Sequence, residues 1–424
     1  MTASPRPPST TRAVSGTIRP AIADAVDAYV WGYPLVVMHR TRALLCSRTP
    51  VGTLNHRDTL ATARDRAVVA PNNDTLYSSA WFDLRAGDLT IDVPAMDHAD
   101  RYWSVMMLDA YTNVAYVSRR THGVDGATVR VTLDPTTEPV RGYADVVTMA
   151  TPTVWALLRV LVDSPEDLAA AHNLQRSISI TAPADHPTHL TEPLGRPDQA
   201  HTAGAAFFDE LRAALAENPP AGWHPSLTDA ARAVTSRDHH LDEDNLAAAV
   251  AAGEQRLAAR GFGTDRLGNG WGTRSTGTDF GDDVELRAAS AKLALAGHHP
   301  AENRSYVAQN DARDRALDGS RALALRFPPG EAPPCDGFWS LTVYQPDMFF
   351  HDNPLDRYAI GDRTPGLVPD DDGGTTIVIG GSRPGDDANW LPAPKGPYRL
   401  GLRVYEGHPT VVDATWFPPA LEPV

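Results

Sequence analysis

The sequence predicts an α+β protein with two β-rich domains of sandwich or jelly-roll type and a helical segment between them. Three observations carry this. Between residues 70 and 150 the chain offers the short aromatic or β-branched runs "TLYSSAWFDL", "LTIDVP", "RYWSVMMLDAYTNVAYVSRR" and "TVRVTLD", separated by Gly, Pro and Asp, which is how antiparallel strands read. After residue 320 the same texture returns in "RALALRFP", "GFWSLTVYQ", "TTIVIGG", "YRLGLRVYE" and "PTVVDATWFP". In between, "HTAGAAFFDELRAALAENPP", "SLTDAARAVT" and "NLAAAVAAGEQRLAARG" are amphipathic stretches with proline or glycine stops. At 424 residues the chain exceeds what one core usually supports.

Taken in order, residues 1–19 contain Pro, Ser and Thr but no apolar signal-peptide core and read as a disordered leader. Residues 20–150 form an N-terminal helix plus a β-rich domain. The helix covers about 20 to 45, with a kink or restart expected at Gly32-Tyr33-Pro34 because proline lacks a donor and clashes with the preceding turn. Asn72-Asn73-Asp74-Thr75 reads as a turn that launches the first long strand. Residues 151–317 are mainly helical, and 318–424 form the C-terminal β domain. The two β regions resemble each other: Trp103-Ser104 and Trp339-Ser340 align, with Pro94 and Pro328 upstream and Asn113 and Asn353 downstream. A duplicated β-hairpin accounts for that alignment.

Composition narrows the function. Acidic side chains number 53 against 38 basic ones, a formal charge of -15, so a phosphate backbone is not the expected partner. No run approaches the ~18 apolar residues of a membrane span. A soluble cytoplasmic protein with a small-molecule substrate is expected, and a homo-oligomer is compatible with the sequence. Cys46 and Cys335 are too few for a disulfide framework or a Cys-based zinc site. The phosphate-cradling, dinucleotide, zinc-protease and nucleophile-elbow motifs are all missing, so no cofactor is expected. No histidine pair has ligand spacing, and no metal is expected; a metal assembled from His98, His122 and His351 is the alternative.

The stretches "AYVWGYPLVV", "PNNDTLYSSAWFDL" and "RYWSVMMLDAYTN" resemble the bacterial family called domain of unknown function 1254. "GFWSLTVYQPDMFFHDNPLDRYAIGDRT" and "NWLPAPKGPYRLGLRVYE" resemble its usual C-terminal companion, domain of unknown function 1214. The resemblance spans nearly the whole chain and implies two sandwich or jelly-roll domains with attached helices; it implies little about chemistry. The sequence departs from it at His351-Asp352, where an apolar or small pair is expected, and in lacking the secretion signal that many members carry.

Polar and aromatic residues set into apolar strands supply the site candidates. Asp74 and Tyr77 are the candidate proton-transfer groups. Asn73, Arg101, Trp103, Asp109, Trp339, Tyr344, Asn353, Arg357, Trp390 and Lys395 are the candidate substrate-binding residues, in a cleft between the two β domains. Pairing of Arg101 with an aspartate is the competing, purely structural role, because a buried charge needs a partner. The expected function is a small-molecule enzyme using acid–base chemistry, of hydrolase, lyase or cyclase type. A non-catalytic small-ligand or carbohydrate-binding sandwich and a metal-dependent jelly-roll enzyme are the alternatives.

Overall fold

The computed structural model describes residues 20–137, 143–189, 204–220, 222–238, 240–261, 264–274, 278–385 and 389–424; the leader expected over 1–19 lies outside them. Among the described residues, nine strands belong to the N-terminal half: β1 (Asn55–His56), β2 (Thr75–Asp83), β3 (Leu89–Val93), β4 (Trp103–Leu108), β5 (Val114–Ser118), β6 (Ala127–Thr132), β7 (Asp145–Thr148), β8 (Thr153–Leu161) and β9 (Ser179–Thr181). They build two sheets, ordered β1-β2-β8-β4-β5 and β7-β6-β3-β9. Alternation sends Leu76, Phe82, Trp103, Val105, Leu158 and Val160 of the first sheet inward against Ile91, Val129 and Val131 of the second, giving one sandwich core.

The C-terminal half contributes β10 (Asp265–Arg266), β11 (Trp271–Thr273), β12 (Asn303–Ala308), β13 (Leu323–Phe327), β14 (Trp339–Tyr344), β15 (Ala359–Gly361), β16 (Thr375–Gly380), β17 (Trp390–Pro392), β18 (Arg399–Tyr405) and β19 (Leu421–Pro423). Its sheets are β10-β11-β12-β18-β14-β15 and β17-β16-β13-β19. The order repeats that of the N-terminal half, with β10 as one further edge strand. Each half also contains one parallel pair, β6 with β7 and β16 with β17, among otherwise antiparallel ladders. The internal likeness seen in the sequence is therefore a repeat of the whole sandwich, of which the Trp-Ser hairpin is the most legible part.

The sheets reach beyond the boundaries expected at 150 and 318. β8 and β9 complete the N-terminal sandwich, and β10 to β12 begin the C-terminal one. "TVWALLRVLV" is a central strand buried almost throughout, a situation in which periodicity cannot separate strand from buried helix. The helix α1 (Pro20–Cys46) runs its full 27 residues with Pro34 inside it. It packs through Val30, Leu35 and Val36 against Phe207, Leu211, Ala231, Leu246 and Ala288 of the helical layer. A Cβ at Gly32 would lie 2.5 Å from Leu211 Cδ1, so glycine permits this close crossing. Among the described residues, no helix is long and apolar enough to cross a membrane.

β4 and β14 are buried along their whole length, so the outer face of each central sheet is covered too. On the N-terminal sheet, Met38 of α1 packs over Trp81, Met106, Leu108 and Leu157. Next to that contact the two sandwiches meet through Tyr102, Leu161, Phe338 and Tyr405. This meeting of two outer sheet faces positions the site.

Candidate functional site

The turn before β2 is made as its residues require and is held from the opposite sandwich. Asn72 Oδ1 accepts the Asp74 N–H at 2.6 Å, closing an Asx turn. Asn72 Nδ2 donates to the Tyr405 hydroxyl at 2.6 Å, the Tyr344 hydroxyl to Pro71 O at 2.7 Å, and Arg403 Nη2 to Ala70 O at 2.9 Å. Ala70 adopts φ 51, a left-handed conformation costly for a non-glycine residue, and its N–H donates to Met348 O at 2.9 Å. Three side chains of the C-terminal sheet thus fix where Asp74 stands.

Asp74 Oδ2 and Ser340 Oγ are both buried without a completed hydrogen bond. Burial pushes the Asp74 carboxyl up, while the Arg403 guanidinium and the nearby Ser340 hydroxyl pull it down; the net direction is up. A carboxyl so placed can hold a proton at higher pH than a free one and can exchange it with a bound molecule.

Two arginines stand at equivalent places. In the β4–β8 ladder Ser104 opposes Arg159, and in the β14–β18 ladder Ser340 opposes Arg403. Arg159 also opposes Tyr77 on β2, and its guanidinium carbon lies 5.1 Å from the Tyr77 ring centroid. Arg403 lies 5.7 Å from the Tyr344 ring centroid. Tyr405 stacks on Phe338 at 4.2 Å and meets Tyr102 and His298 edge-on at 4.9 and 5.8 Å. Burial raises the hydroxyls of Tyr102, Tyr344 and Tyr405, so all three stay protonated donors. Burial and then the charges of Arg159 and Arg403 hold His298 well below its ordinary value, so its imidazole is neutral. The Tyr116 hydroxyl accepts the His299 N–H at 3.1 Å and lies 3.3 Å from His298 Nδ1, which fits a proton shared onto Nδ1 and the imidazole proton on Nε2.

Asp74, Tyr116, His298 and Arg403 lie deep between the sandwiches yet each keeps part of its surface accessible. These four line the junction without being wholly sealed by it. Its walls combine two permanent cations, one carboxyl, several phenols and a neutral imidazole. That set can bind an anion, orient a polar group and move a proton.

Of the residues expected at the site, Asp74, Tyr77 and Tyr344 lie at this junction, and the others lie elsewhere for identifiable reasons. Asn73 braces the turn by donating to Ala61 O at 2.6 Å. Arg101 is enclosed by Asp97 and Asp167 and donates to Leu161 O at 2.8 Å, the structural pairing that competes with a binding role. Trp103 and Trp339 point into the two sandwich cores. Strand alternation makes the serine after each tryptophan, not the tryptophan, face the junction. Asp109 Oδ1 accepts from Tyr111 N and Asn113 N at 2.8 and 2.9 Å and so shapes the β4–β5 turn. Asn353 does the same for its loop through Leu355 N and Arg357 N. Arg357 donates to Trp390 O at 3.0 Å, the Trp390 indole to Gly380 O at 3.0 Å, and Lys395 is exposed.

Arg403 and Tyr405 stand out in the sequence as polar residues within an apolar strand, whereas Arg159 and His298 are not among the residues expected at the site. The signal for the arginines is the repeated tripeptide Leu158-Arg159-Val160 and Leu402-Arg403-Val404, a lone cation in equivalent apolar strands. His298 lies in the connection before β12 and carries no such signal. His98, His122 and His351 do not assemble. Among the described residues, only Asp97, His98 and Asp167 offer three ligand atoms within 4.8 Å, and both carboxylates already engage Arg101.

A separate cleft of about 490 Å³ lies among the helices, the β4–β5 turn and the loop around Phe280, with Trp31, Tyr111, Trp223, Phe280 and Arg287 in its wall. Arg287 is satisfied there, donating to Tyr111 O and Asn113 Oδ1, each at 2.8 Å.

The fold and junction define a class: a tandem pair of like sandwiches with a polar site where their outer faces meet. Residues 51–182 match the family described as "Protein of unknown function (DUF1254)" and residues 302–409 the one described as "Protein of unknown function (DUF1214)". The chain thus carries these two domains, in this N- to C-terminal order. No curated protein matches the sequence. Among solved structures it is similar to the VPA0106 protein of Vibrio parahaemolyticus, with 23% identity, a TM-score of 0.74, and coverage of 95% of this chain and 100% of that one. An uncharacterized protein from Burkholderia cenocepacia matches at 14% identity and a TM-score of 0.44, over 95% of this chain and 94% of that one. The Vibrio protein shares the fold.

Proposed function

We propose that the junction is the active site of an enzyme that transforms a small organic molecule by acid–base chemistry, of hydrolase or lyase type, without a nucleotide cofactor. The observation that carries this reading is Asp74: a buried carboxyl pushed up by burial, with Oδ2 unpartnered, held in place from both sandwiches. A structural aspartate in such a place would have its second oxygen satisfied, as Asp109 does. Asp74 is the proton-transfer group in this reading, and Tyr77 and the Tyr405 hydroxyl flank the path of the proton.

Asp74→Asn tests it, because asparagine keeps the turn and removes the ionisable group. Incubation of a metabolite extract with the wild type should deplete one compound, detected by mass spectrometry. The variant should fold normally and be slower by roughly 10²-fold or more, the usual loss of a positioned acid or base. Equal depletion by the two proteins removes Asp74 from the mechanism.

A second reading, a non-catalytic ligand-binding protein, draws support from the aromatic cleft around Trp31, Tyr111 and Trp223, since stacked rings and amides suffice to hold a ligand. A compound that binds with no turnover, and whose binding is lost in Trp223→Ala, would favour it.

A further inference from the structure

The class of substrate follows from a charge imbalance at the junction, and this step rests on the active-site reading above. Arg159 is 4% exposed, and among the described residues its guanidinium forms no ion pair. Nη1 lies 3.6 Å from Met106 Sδ, a weak acceptor, and Nε has no partner at all. The phenols of Tyr77, Tyr102 and Tyr405 surround it, and none of them supplies negative charge while protonated. His298 is neutral. Glu302 is nearby but committed: its Oε1 accepts from Tyr102 at 3.0 Å, and its Oε2 from Ser118 and Arg120 at 3.0 and 2.9 Å. Asp74 lies towards Arg403, which also bonds Ala70 O.

A guanidinium does not lose its proton inside a protein, and a buried charge without a partner costs several kcal/mol. Its equivalent, Arg403, has the Asp74 carboxyl beside it and bonds Ala70 O, whereas Arg159 has only Met106 Sδ and the Tyr77 phenol. The missing counter-charge is then brought by what binds. The planar fork of a guanidinium matches a carboxylate, and the surrounding faces of Tyr77, Tyr405 and Phe338 are aromatic. We propose that the substrate is a small organic carboxylate with a flat apolar body: its acid group pairs with Arg159, its body lies along Tyr77 and Tyr405, and its reacting end faces Asp74.

Benzoate is the probe, with its neutral isostere benzamide and inorganic phosphate as comparisons. Benzoate at millimolar concentration should raise the melting temperature of the full chain, and benzamide and phosphate should not. In titration calorimetry, Arg159→Met should weaken benzoate about 10- to 100-fold, the range for a hydrogen-bonded charge. Arg159→Lys should weaken it less, because the charge stays and the fork is lost. Asp74→Asn should still bind benzoate, and the two proposals fail separately: a wild type that binds benzoate but depletes no compound of the extract sinks only the acid–base reading. No stabilisation by benzoate, equal binding of benzamide, preference for phosphate, or undiminished binding by a folded Arg159→Met protein each overturns the assignment.

Discussion

The two sandwiches share strand order and ladder register, yet positions that correspond between them have diverged. Arg159 faces Tyr77 across one ladder, whereas Arg403 faces Ser305 across the other. Two residues further on, Leu161 corresponds to Tyr405, and the residue before each strand tryptophan is Tyr102 in one half and Phe338 in the other. The C-terminal copy uses its polar groups as anchors: Tyr344, Arg403 and Tyr405 hold the turn that carries Asp74. The N-terminal copy keeps a buried cation without an acid. A repeat gives two faces of matched shape, and divergence on the outward-facing positions alone makes a site without disturbing either core.

The largest expected break in this likeness lies two residues before the strand tryptophans. The N-terminal half has Arg101 there and the C-terminal half Gly337, where a Cβ would come within 2.6 Å of Tyr405 O. Arg101 is fully buried and ties the 97–101 turn to the loop after β8 through Asp97, Asp167 and Leu161 O. Arg101→Met leaves Asp167 without its cation and should cost about 3 kcal/mol or more. Denaturant unfolding should show it as a lower midpoint at unchanged slope. A loss below about 1 kcal/mol would mean that the ion pairs contribute little to the N-terminal sandwich.

Legibility in the sequence follows the same division. Alternation and turn residues announce strands such as β2 and β3, and the paired Trp-Ser hairpins announce the repeat. β8 is harder because both of its faces are covered, which erases the period. At the site, Asp74 and Tyr77 stand out because they interrupt a strand start. Trp103 and Trp339 mark the correct strands and the wrong face, since one residue of register separates core from junction. Arg101 and Arg159 look alike in sequence as cations beside apolar runs. Asp97 lies in Arg101's own turn, but Asp167 comes from another segment of the chain, so only the contacts show Arg101 enclosed by two acids and Arg159 by none. His298 is positioned by long-range packing against Tyr116 and Tyr405, for which local sequence holds no signal.

A pH experiment sharpens the comparison where the halves are clipped together. Arg119 of the N-terminal half pairs with Glu406 of the C-terminal half, whose Oε1 is buried without a partner. Burial pushes the Glu406 carboxyl from 4.5 up to about 6, against the pull of Arg119. Because the folded value lies above the unfolded one, the native state binds more protons between the two. Stability therefore rises as pH falls through about 6 towards 4.5, by about 2 kcal/mol for this group. Asp362, also raised to about 6 by burial, acts in the same direction. Unfolding free energies measured from pH 7 to 4.5 should be flatter for Glu406→Gln than for the wild type. Identical slopes would show that Glu406 is not the titrating group.

The smallest expected effect on stability concerns Arg159 itself, and its sign matters more than its size. A residue kept for packing loses stability when replaced, whereas a charge kept for a ligand is a burden in the empty protein. Methionine is close to arginine in length, is apolar, and would lie beside Met106. In the absence of ligand, Arg159→Met should leave the unfolding free energy unchanged or raise it by up to about 1 kcal/mol. Arg403→Met is the internal control: it takes a donor from Ala70 O and the nearest cation from Asp74, so it should lose stability. Opposite signs at two positions related by the repeat would mark Arg159 as the one held against the preference of the fold. A clear loss at both would instead make Arg159 part of the scaffold and remove the physical ground for a bound carboxylate.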